Sequence, residues 1–284
     1  METTTTLNYS AIAEGISDWL TDYVRKSGTN GFVMGVSGGI DSAVVSTLCA
    51  RTGMNLLVLE MPIHQGTAEV DRAKNHIQWL KDNFDNVTSK EIDLTEAYGV
   101  LYNTYANKSK GVVGMISAED FDFSMANTRS RLRMTTLYQY AGMNKMLVAG
   151  TGNKVEDFGI GFYTKYGDGG VDLSPIADLM KSEVYKLGSE LGINNDILVA
   201  APTDGLHDDA RTDEEQLGCT YSELEWAMNY YTGTASNDIN LGVHIYEDCS
   251  EREKEVMKIY LKRHRANLHK MIPIPTFNTD VFRK

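Results

Sequence analysis

The 284-residue chain is short of basic residues, of cysteine and of long apolar runs. Its 27 Lys and Arg face 39 Asp and Glu, a net charge of −12. Such an acidic balance repels a phosphate backbone, so a nucleic-acid face would need a local basic patch. Only three cysteines occur, Cys49, Cys219 and Cys249, far apart and without a Cys-x-x-Cys pair. That removes the zinc ribbon and the dithiol motif and fits a reducing cytoplasm. No run is long enough to span a membrane, and the polar start, Met1 to Thr6, has no apolar signal-peptide core. No repeat of fixed period is visible. The length suits one large α/β domain, which can bury a full core.

The chemistry gathers at Val36-Ser37-Gly38-Gly39-Ile40-Asp41-Ser42. The apolar run Phe32–Val36 before it reads as a buried strand, and Ala43–Ala50 after it has the spacing of a packed helix. A strand, a glycine turn and a helix leave the first helical N–H groups unpaired at the positive end of the helix dipole. That is an anion site, and phosphate is the usual anion. Ser37 and Ser42 add hydroxyls. The stretch lacks the Gly-Lys-Ser/Thr ending of a Walker A loop and the spacing of a dinucleotide fingerprint. Asp41 would repel a phosphate unless a cation lies between them, so it implies Mg²⁺.

The rest of the chain alternates strand and helix patterns. Residues 9–25 form an amphipathic helix, with Ser10 as candidate cap and Gly28 as stop. Asn55–Met61 is a second strand, followed by a loop holding His64 and Gln65. Ala68–Phe84 is a helix, Val87–Leu94 a third strand, and Leu94–Tyr105 a helix. Residues 107–125 read as a loop. Asn127–Ala141 is a helix carrying Arg129, Arg131 and Arg133, which cannot all share one face. Lys145–Gly150 is a fourth strand, ending in the polar turn Thr151–Asp157, where Glu156 is placed to share a metal with Asp41. Gly161–Asp172, rich in glycine and charge, reads as a functional loop. A helix follows at Lys181–Leu191, then an acidic stretch at 204–216 that reads as flexible and solvated. Tyr221–Tyr231 is helical, and Ser250-Glu251-Arg252-Glu253 is a capping box that opens the last helix.

The Ser-Gly-Gly-x-Asp-Ser pattern resembles the pyrophosphate loop of the N-type ATP pyrophosphatases. Further motifs in the same order narrow the resemblance to the NAD synthetase family: Asn127–Met134, Gly150-Thr151-Gly152-Asn153-Lys154, Lys165-Tyr166-Gly167-Asp168-Gly169-Gly170, Ser174-Pro175-Ile176 with Lys181, Pro202-Thr203, and His269-Lys270. The resemblance implies a single doubly wound α/β domain over residues 1–284, with a mainly parallel central sheet flanked by helices (adenine nucleotide alpha hydrolase-like). It implies that Gly35, Val36, Ser37, Gly38, Gly39, Ile40, Asp41 and Ser42 cradle ATP, with Thr151, Lys181 and Thr203. Asp41 and Glu156 would hold Mg²⁺, and Asp41 and Lys181 would be catalytic. Arg131, Lys165, Asp172, His269 and Lys270 would contact nicotinic acid adenine dinucleotide (deamido-NAD). The spacing from Glu156 to Lys165 is one residue longer than the family pattern, so Asp157 competes with Glu156 as metal ligand. Arg133 likewise competes with Arg131.

By the same resemblance, ATP would adenylate the pyridine carboxylate, releasing pyrophosphate, and ammonia would displace AMP to give NAD. About 30 residues precede the loop strand, too few for a glutaminase domain, so free ammonia is the expected nitrogen source. A cytoplasmic homodimer without nucleic-acid or membrane partners is expected. The stretches 111–125 and 204–216 are candidates to close over the adenylate. Rival readings are a GMP synthetase core, a tRNA-thiolating enzyme and a non-catalytic nucleotide-binding module.

Overall fold

In the computed structural model, residues 7–108, 117–203, 212–235 and 249–283 are described. The first helix, α1, spans Tyr9–Ser27. Its cap is Asn8, not Ser10: the Asn8 side chain accepts from the Ala11 N–H at 3.0 Å. Asn8 has the extended backbone a cap needs, whereas Ser10 is already inside the first turn. Gly28 ends the helix at φ 67°, the left-handed conformation expected of a glycine stop. The helix buries Ala13, Ser17, Leu20 and Val24, while Trp19 and Tyr23 stay exposed.

Strand β1 (Gly31–Gly35) follows, then α2 (Ile40–Arg51), β2 (Asn55–Glu60), α3 (Thr67–Asn83), β3 (Val87–Glu91) and α4 (Thr95–Lys108). Helix α2 is buried on nearly every side, from Ile40 through Ala50. That all-round burial places it beneath other helices rather than at the surface. The stretch expected as a loop up to residue 125 instead enters helix α5, Ala118–Asn144. Ser117 caps it by accepting from the Asp120 N–H at 3.0 Å. Glu119 and Asp120, which read as loop acids, complement the dipole in its first turn. Residues 109–116 lie outside the described residues. Strand β4 is only Leu147–Val148, because Lys145 turns the chain at φ 56°. A π-helical turn at Val155–Ile160 comes next, then α6 (Lys181–Glu190) and α7 (Asn195–Leu198). Helices α8 (Asp213–Leu217), α9 (Tyr221–Ala235) and α10 (Glu251–Met271) complete the order, the last on the expected Ser250 capping box.

The four strands are parallel in the order β3-β2-β1-β4. Phe32 pairs with Leu56 on one side and Leu147 on the other. The chain winds outward from β1 to β3, then returns to the far side of β1. The order therefore reverses between β1 and β4, where a crevice opens at the strands' carboxyl ends. Helices cover both faces. Phe32, Met34, Leu56 and Val58 pack with α1, α2, α3 and α6; Val33, Leu57, Leu59 and Val148 pack with α4 and α5. A third apolar cluster joins the π turn to α8, α9 and α10 through Val155, Ile160, Leu217, Leu224, Val256 and Tyr260.

One edge of the sheet is finished by a side chain. The Asp172 N–H donates to the Val148 carbonyl, and the Val148 N–H donates to Asp172 Oδ2 at 2.8 Å. Tyr138 donates to the other oxygen, Oδ1, at 3.0 Å.

Candidate active site

The crevice is built from three turns. The first is the loop after β1. Gly38 takes φ 84° and presses against α3, where an added Cβ would lie 2.5 Å from the Glu69 carbonyl oxygen. Only glycine meets both conditions. The Ser37 and Ser42 hydroxyls, expected as phosphate donors, line the cleft and also bond within the turn. Ser42 Oγ accepts from the Ser37 N–H and contacts the Gly39 carbonyl at 3.0 Å and Ser37 Oγ at 3.1 Å. These bonds hold the turn in shape. No side chain caps the start of α2, so its first N–H groups are left for an anion.

The second turn follows β4. Asn153 is fully buried and joins this turn to the first. Its amide nitrogen donates to Asp41 Oδ1 at 3.1 Å, while its oxygen accepts from the Glu156 N–H at 3.1 Å. The third element is the start of α6, which delivers Lys181. Its ammonium reaches Asp41 Oδ2 at 2.5 Å and Glu156 Oε1 at 2.9 Å. The Lys181 side chain is 4% exposed and the carboxylates 18% and 16%.

Burial opposes charge on all three groups. Lys181 is nevertheless held charged, its pKa raised by the two carboxylates despite burial. Burial raises Asp41, only partly countered by Lys181. Burial also pushes Glu156 upward, but Lys181 and the hydrogen bonds from Tyr221, Lys181 and Asn153 bring it below the usual range. One ammonium between two carboxylates leaves a net single negative charge, with hard oxygen donors, at the foot of a phosphate loop. Magnesium commonly uses one or two carboxylates completed by substrate phosphates and water. Asp41 and Glu156 therefore fit that ion; among the described residues no three His, Cys, Asp or Glu side chains form a closed metal cage.

The extra residue between Glu156 and Lys165 coincides with the π turn, where the Gly161 N–H reaches back to the Glu156 carbonyl. A π turn holds one more residue than an α turn. Glu156 and Asp157 both line the cleft, but it is Glu156 that shares Lys181 with Asp41. Asp157 lies over Gly152, where an added Cβ would sit 2.1 Å from its carboxylate. Burial, then the charges of Glu156, Asp168 and Asp41, push the Asp157 carboxyl up to about 8.

Two further side chains were not legible in the sequence. Tyr221 was read as the start of a helix and Asp213 as part of a solvated acidic run. The Tyr221 hydroxyl lies 2.6 Å from Glu156 Oε1 and 3.1 Å from Asp213 Oδ2. Asp213 is 5% exposed, so this one acid of the stretch is buried while Glu215 beside it stays exposed. Thr212 caps α8 there, and the Asp213 N–H is tied to the Pro202 carbonyl. Residues 204–211 lie outside the described residues. Only local signals mark positions 213 and 221, and neither signal reports a contact with a side chain far along the chain.

Of the expected ATP residues, Gly35, Val36, Ser37, Gly39, Ile40, Asp41, Ser42, Thr151, Lys181 and Thr203 line this one cleft, with Gln65 beside them. Gly38 lies behind it, under α3. Thr203 donates to Glu69 at 2.6 Å. The residues expected at the dinucleotide stand apart. Lys165 reaches the His269 carbonyl at 2.6 Å, Arg131 reaches the Lys165 carbonyl at 3.3 Å, and Lys270 bonds the Gly161 and Tyr163 carbonyls. These four make a basic cluster next to the cleft. Asp172 sits at the sheet edge instead. Arg133, rather than Arg131, lines the cleft, through its bond to the Met61 carbonyl at 3.2 Å.

Residues 12–271 match the NAD synthase family. The chain is 38% identical to the NH(3)-dependent NAD(+) synthetase of Mycoplasma genitalium, covering 74% of this chain and 79% of that one. It is 33% identical to the enzyme of the same name from Carboxydothermus hydrogenoformans, covering 89% and 98%. The solved structure of NMN synthetase from Francisella tularensis superimposes with a TM-score of 0.76 at 28% identity, covering 96% and 100%. Two carboxylates bonded to a buried lysine, beside an uncapped helix start at the sheet's switch point, thus occur in a chain that belongs to the NAD synthase family.

Proposed function

We propose that this chain amidates the nicotinate carboxylate of deamido-NAD with ammonia, using ATP and releasing AMP and pyrophosphate. The observation that carries the reading is the convergence of Asp41, Glu156 and Lys181 beside the free start of α2. A purely binding module has no use for a carboxylate pair tied to a buried cation beside its phosphates.

The N–H groups at the start of α2 receive phosphate oxygens, and Lys181 neutralises charge that grows as the bond between the α-phosphorus and the leaving pyrophosphate breaks. Asp41 and Glu156 would hold Mg²⁺, which supplies Lewis-acid stabilisation of those same oxygens when bound. The substrate carboxylate oxygen takes the place of pyrophosphate on the α-phosphorus. Ammonia then adds to the acyl carbon, AMP departs with the carboxylate oxygen that had bridged carbon and phosphorus, and the nitrogen loses a proton while the carbonyl oxygen stays in the amide. The adenylate must be kept from water. Arg131, Lys165 and Lys270 present the positive charge that a dinucleotide's phosphates require, with His269 beside them and Asp172 set further off.

The whole chain acts as one catalytic domain in this reading, in the cytoplasm and as a homodimer. The exposed Phe123 and Met143 of α5 are apolar area available for a second copy. No helix among the described residues is long and apolar enough to cross a membrane. Sedimentation of the purified chain as a monomer at micromolar concentration would remove the dimer.

The deciding assay supplies ATP, Mg²⁺, ammonium and deamido-NAD and follows NAD and AMP together. Equal yields of both, with no gain from glutamine, support the reading; pyrophosphate release without NAD sinks it. A second substrate is favoured by the Francisella likeness. Nicotinate mononucleotide, run beside deamido-NAD, reports through kcat/KM whether the shorter acceptor is preferred.

A further inference from the structure

The last residue of β2 is a carboxylate inside the cleft. Glu60 is 6% exposed and lines the cleft at the end of β2, which the strand order puts on the opposite side of β1 from β4. The cleft wall includes the apolar Leu59, Met61, Val70 and Ala73 together with the polar Glu69, Arg72 and Arg133, of which Arg72 donates to the Gly38 carbonyl and Arg133 to the Met61 carbonyl. Its backbone is satisfied, because the Glu60 carbonyl accepts from the Ile92 N–H at 2.8 Å. Its carboxylate is not: among the described residues Glu60 Oε1 has no hydrogen-bond partner although it is shut off from solvent. The nearest cation, Lys74, is 3.9 Å away, too far to donate, and lies closer to Glu91 at 3.2 Å. Alternation along β2 turns Glu60 the same way as Leu56 and Val58, toward α2 and α3. Those are the helices that frame the phosphate loop.

A buried carboxylate without a donor is costly, and proteins keep one where a ligand supplies the missing donor. Phosphates cannot, since they carry the same sign of charge. With the phosphates in the loop after β1 and the acceptor substrate on the β4 side, the part of ATP left for the β2 side of the cleft is the nucleoside. It offers a 6-amino group and two ribose hydroxyls. We infer that Glu60 is the acceptor that recognises the nucleoside of ATP, taking a hydrogen bond from one of these groups and so setting nucleotide choice. The inference rests on the cleft being the ATP site.

The test compares kcat/KM for ATP, purine riboside triphosphate (no 6-amino group), 2′-deoxy-ATP and 3′-deoxy-ATP in the wild-type chain, Glu60→Gln and Glu60→Ala. The wild-type chain should discriminate against one analogue by about 10-fold to 100-fold, the range expected when a buried group loses its partner. Glu60→Ala should bring ATP down to that analogue's level and erase the discrimination, and Glu60→Gln should keep part of it. The analogue that is rejected identifies the base or the ribose as the donor. If Glu60→Ala lowers all four nucleotides by one common factor, or if Lys74→Met reproduces its selectivity profile, the residue is a structural ion-pair member and the inference fails. If the wild-type chain turns over none of the nucleotides, the reading of the cleft fails instead.

Discussion

Replacing Lys181 with methionine keeps its length and removes its charge. In the intact chain the ammonium lies 2.5 Å from Asp41 and 2.9 Å from Glu156. At an effective dielectric of about 20, each contact is worth roughly 6 kcal/mol of attraction, most of it offset by desolvating three ions. Removing one partner of a buried pair leaves the other charge uncompensated and costs about 3–5 kcal/mol. Here two carboxylates are stranded together, so we expect the upper half of that range. Urea unfolding without divalent cations should show Lys181→Met destabilised by about 4 kcal/mol. Adding millimolar Mg²⁺ should recover part of the loss, because a cation can take the place of the ammonium. Glu156→Gln in the same background should recover part of it without metal. Catalysis should fall about 10²-fold to 10³-fold, as for the loss of one group that stabilises transition-state charge. A Lys181→Met chain as stable as the parent in metal-free buffer would show that the two carboxylates are not both charged around the lysine.

Three further outcomes follow from the same geometry. Tyr221→Phe should cost about 1.5–3 kcal/mol, the worth of a hydrogen bond to a charged group, and the loss should shrink when Glu156 is already glutamine; equal losses in both backgrounds would uncouple them. Gly38→Ala should destabilise by about 1–3 kcal/mol and raise KM for ATP, since its Cβ has no room beside α3; an unchanged melting temperature would contradict the packing. His76 is buried against Trp79, and burial lowers its pKa to about 4. A histidine depressed below its unfolded value stabilises the fold above about pH 6.5 and loses that contribution as pH falls through 4, roughly 3 kcal/mol in all. Replacing His76 with glutamine should flatten stability between those pH values, and an unchanged acid limb would disprove it.

What the sequence revealed was local. The run Phe32 to Ser42 carries strand, turn and helix within a few residues, so that local structure is legible from spacing alone. Glu156 is legible because it follows a polar turn at a strand end. The start of α5 was hidden because Glu119, Asp120 and the nearby Gly and Ser residues look like a loop until Ser117 is seen to cap a helix. The fourth strand looked longer than it is because the apolar run continues past Val148, its last residue paired with β1, to Ala149, which bridges Leu173. Helical phase explains the arginines: Arg131 and Arg133 are two residues apart, so one faces the cleft and the other the basic cluster. Tyr221 and Asp213 were invisible for a different reason. Their meeting with Glu156 depends on α8 and α9 packing against the π turn, and no periodicity encodes which helices meet.

The bond from Val148 to Asp172 has a bearing on solubility. A terminal strand of a parallel sheet offers unpaired N–H groups to any passing strand, the commonest seed of edge-to-edge aggregation. Here a charged side chain fills the Val148 position and brings a negative charge to the rim, which a second copy with the same rim would be repelled by. Substitution at Asp172 therefore frees the Val148 N–H, although the main chain of 172–173 still pairs with β4, as well as altering the residue that the family resemblance places at the dinucleotide. Activity lost at that position speaks about substrate only if light scattering stays flat as protein concentration rises.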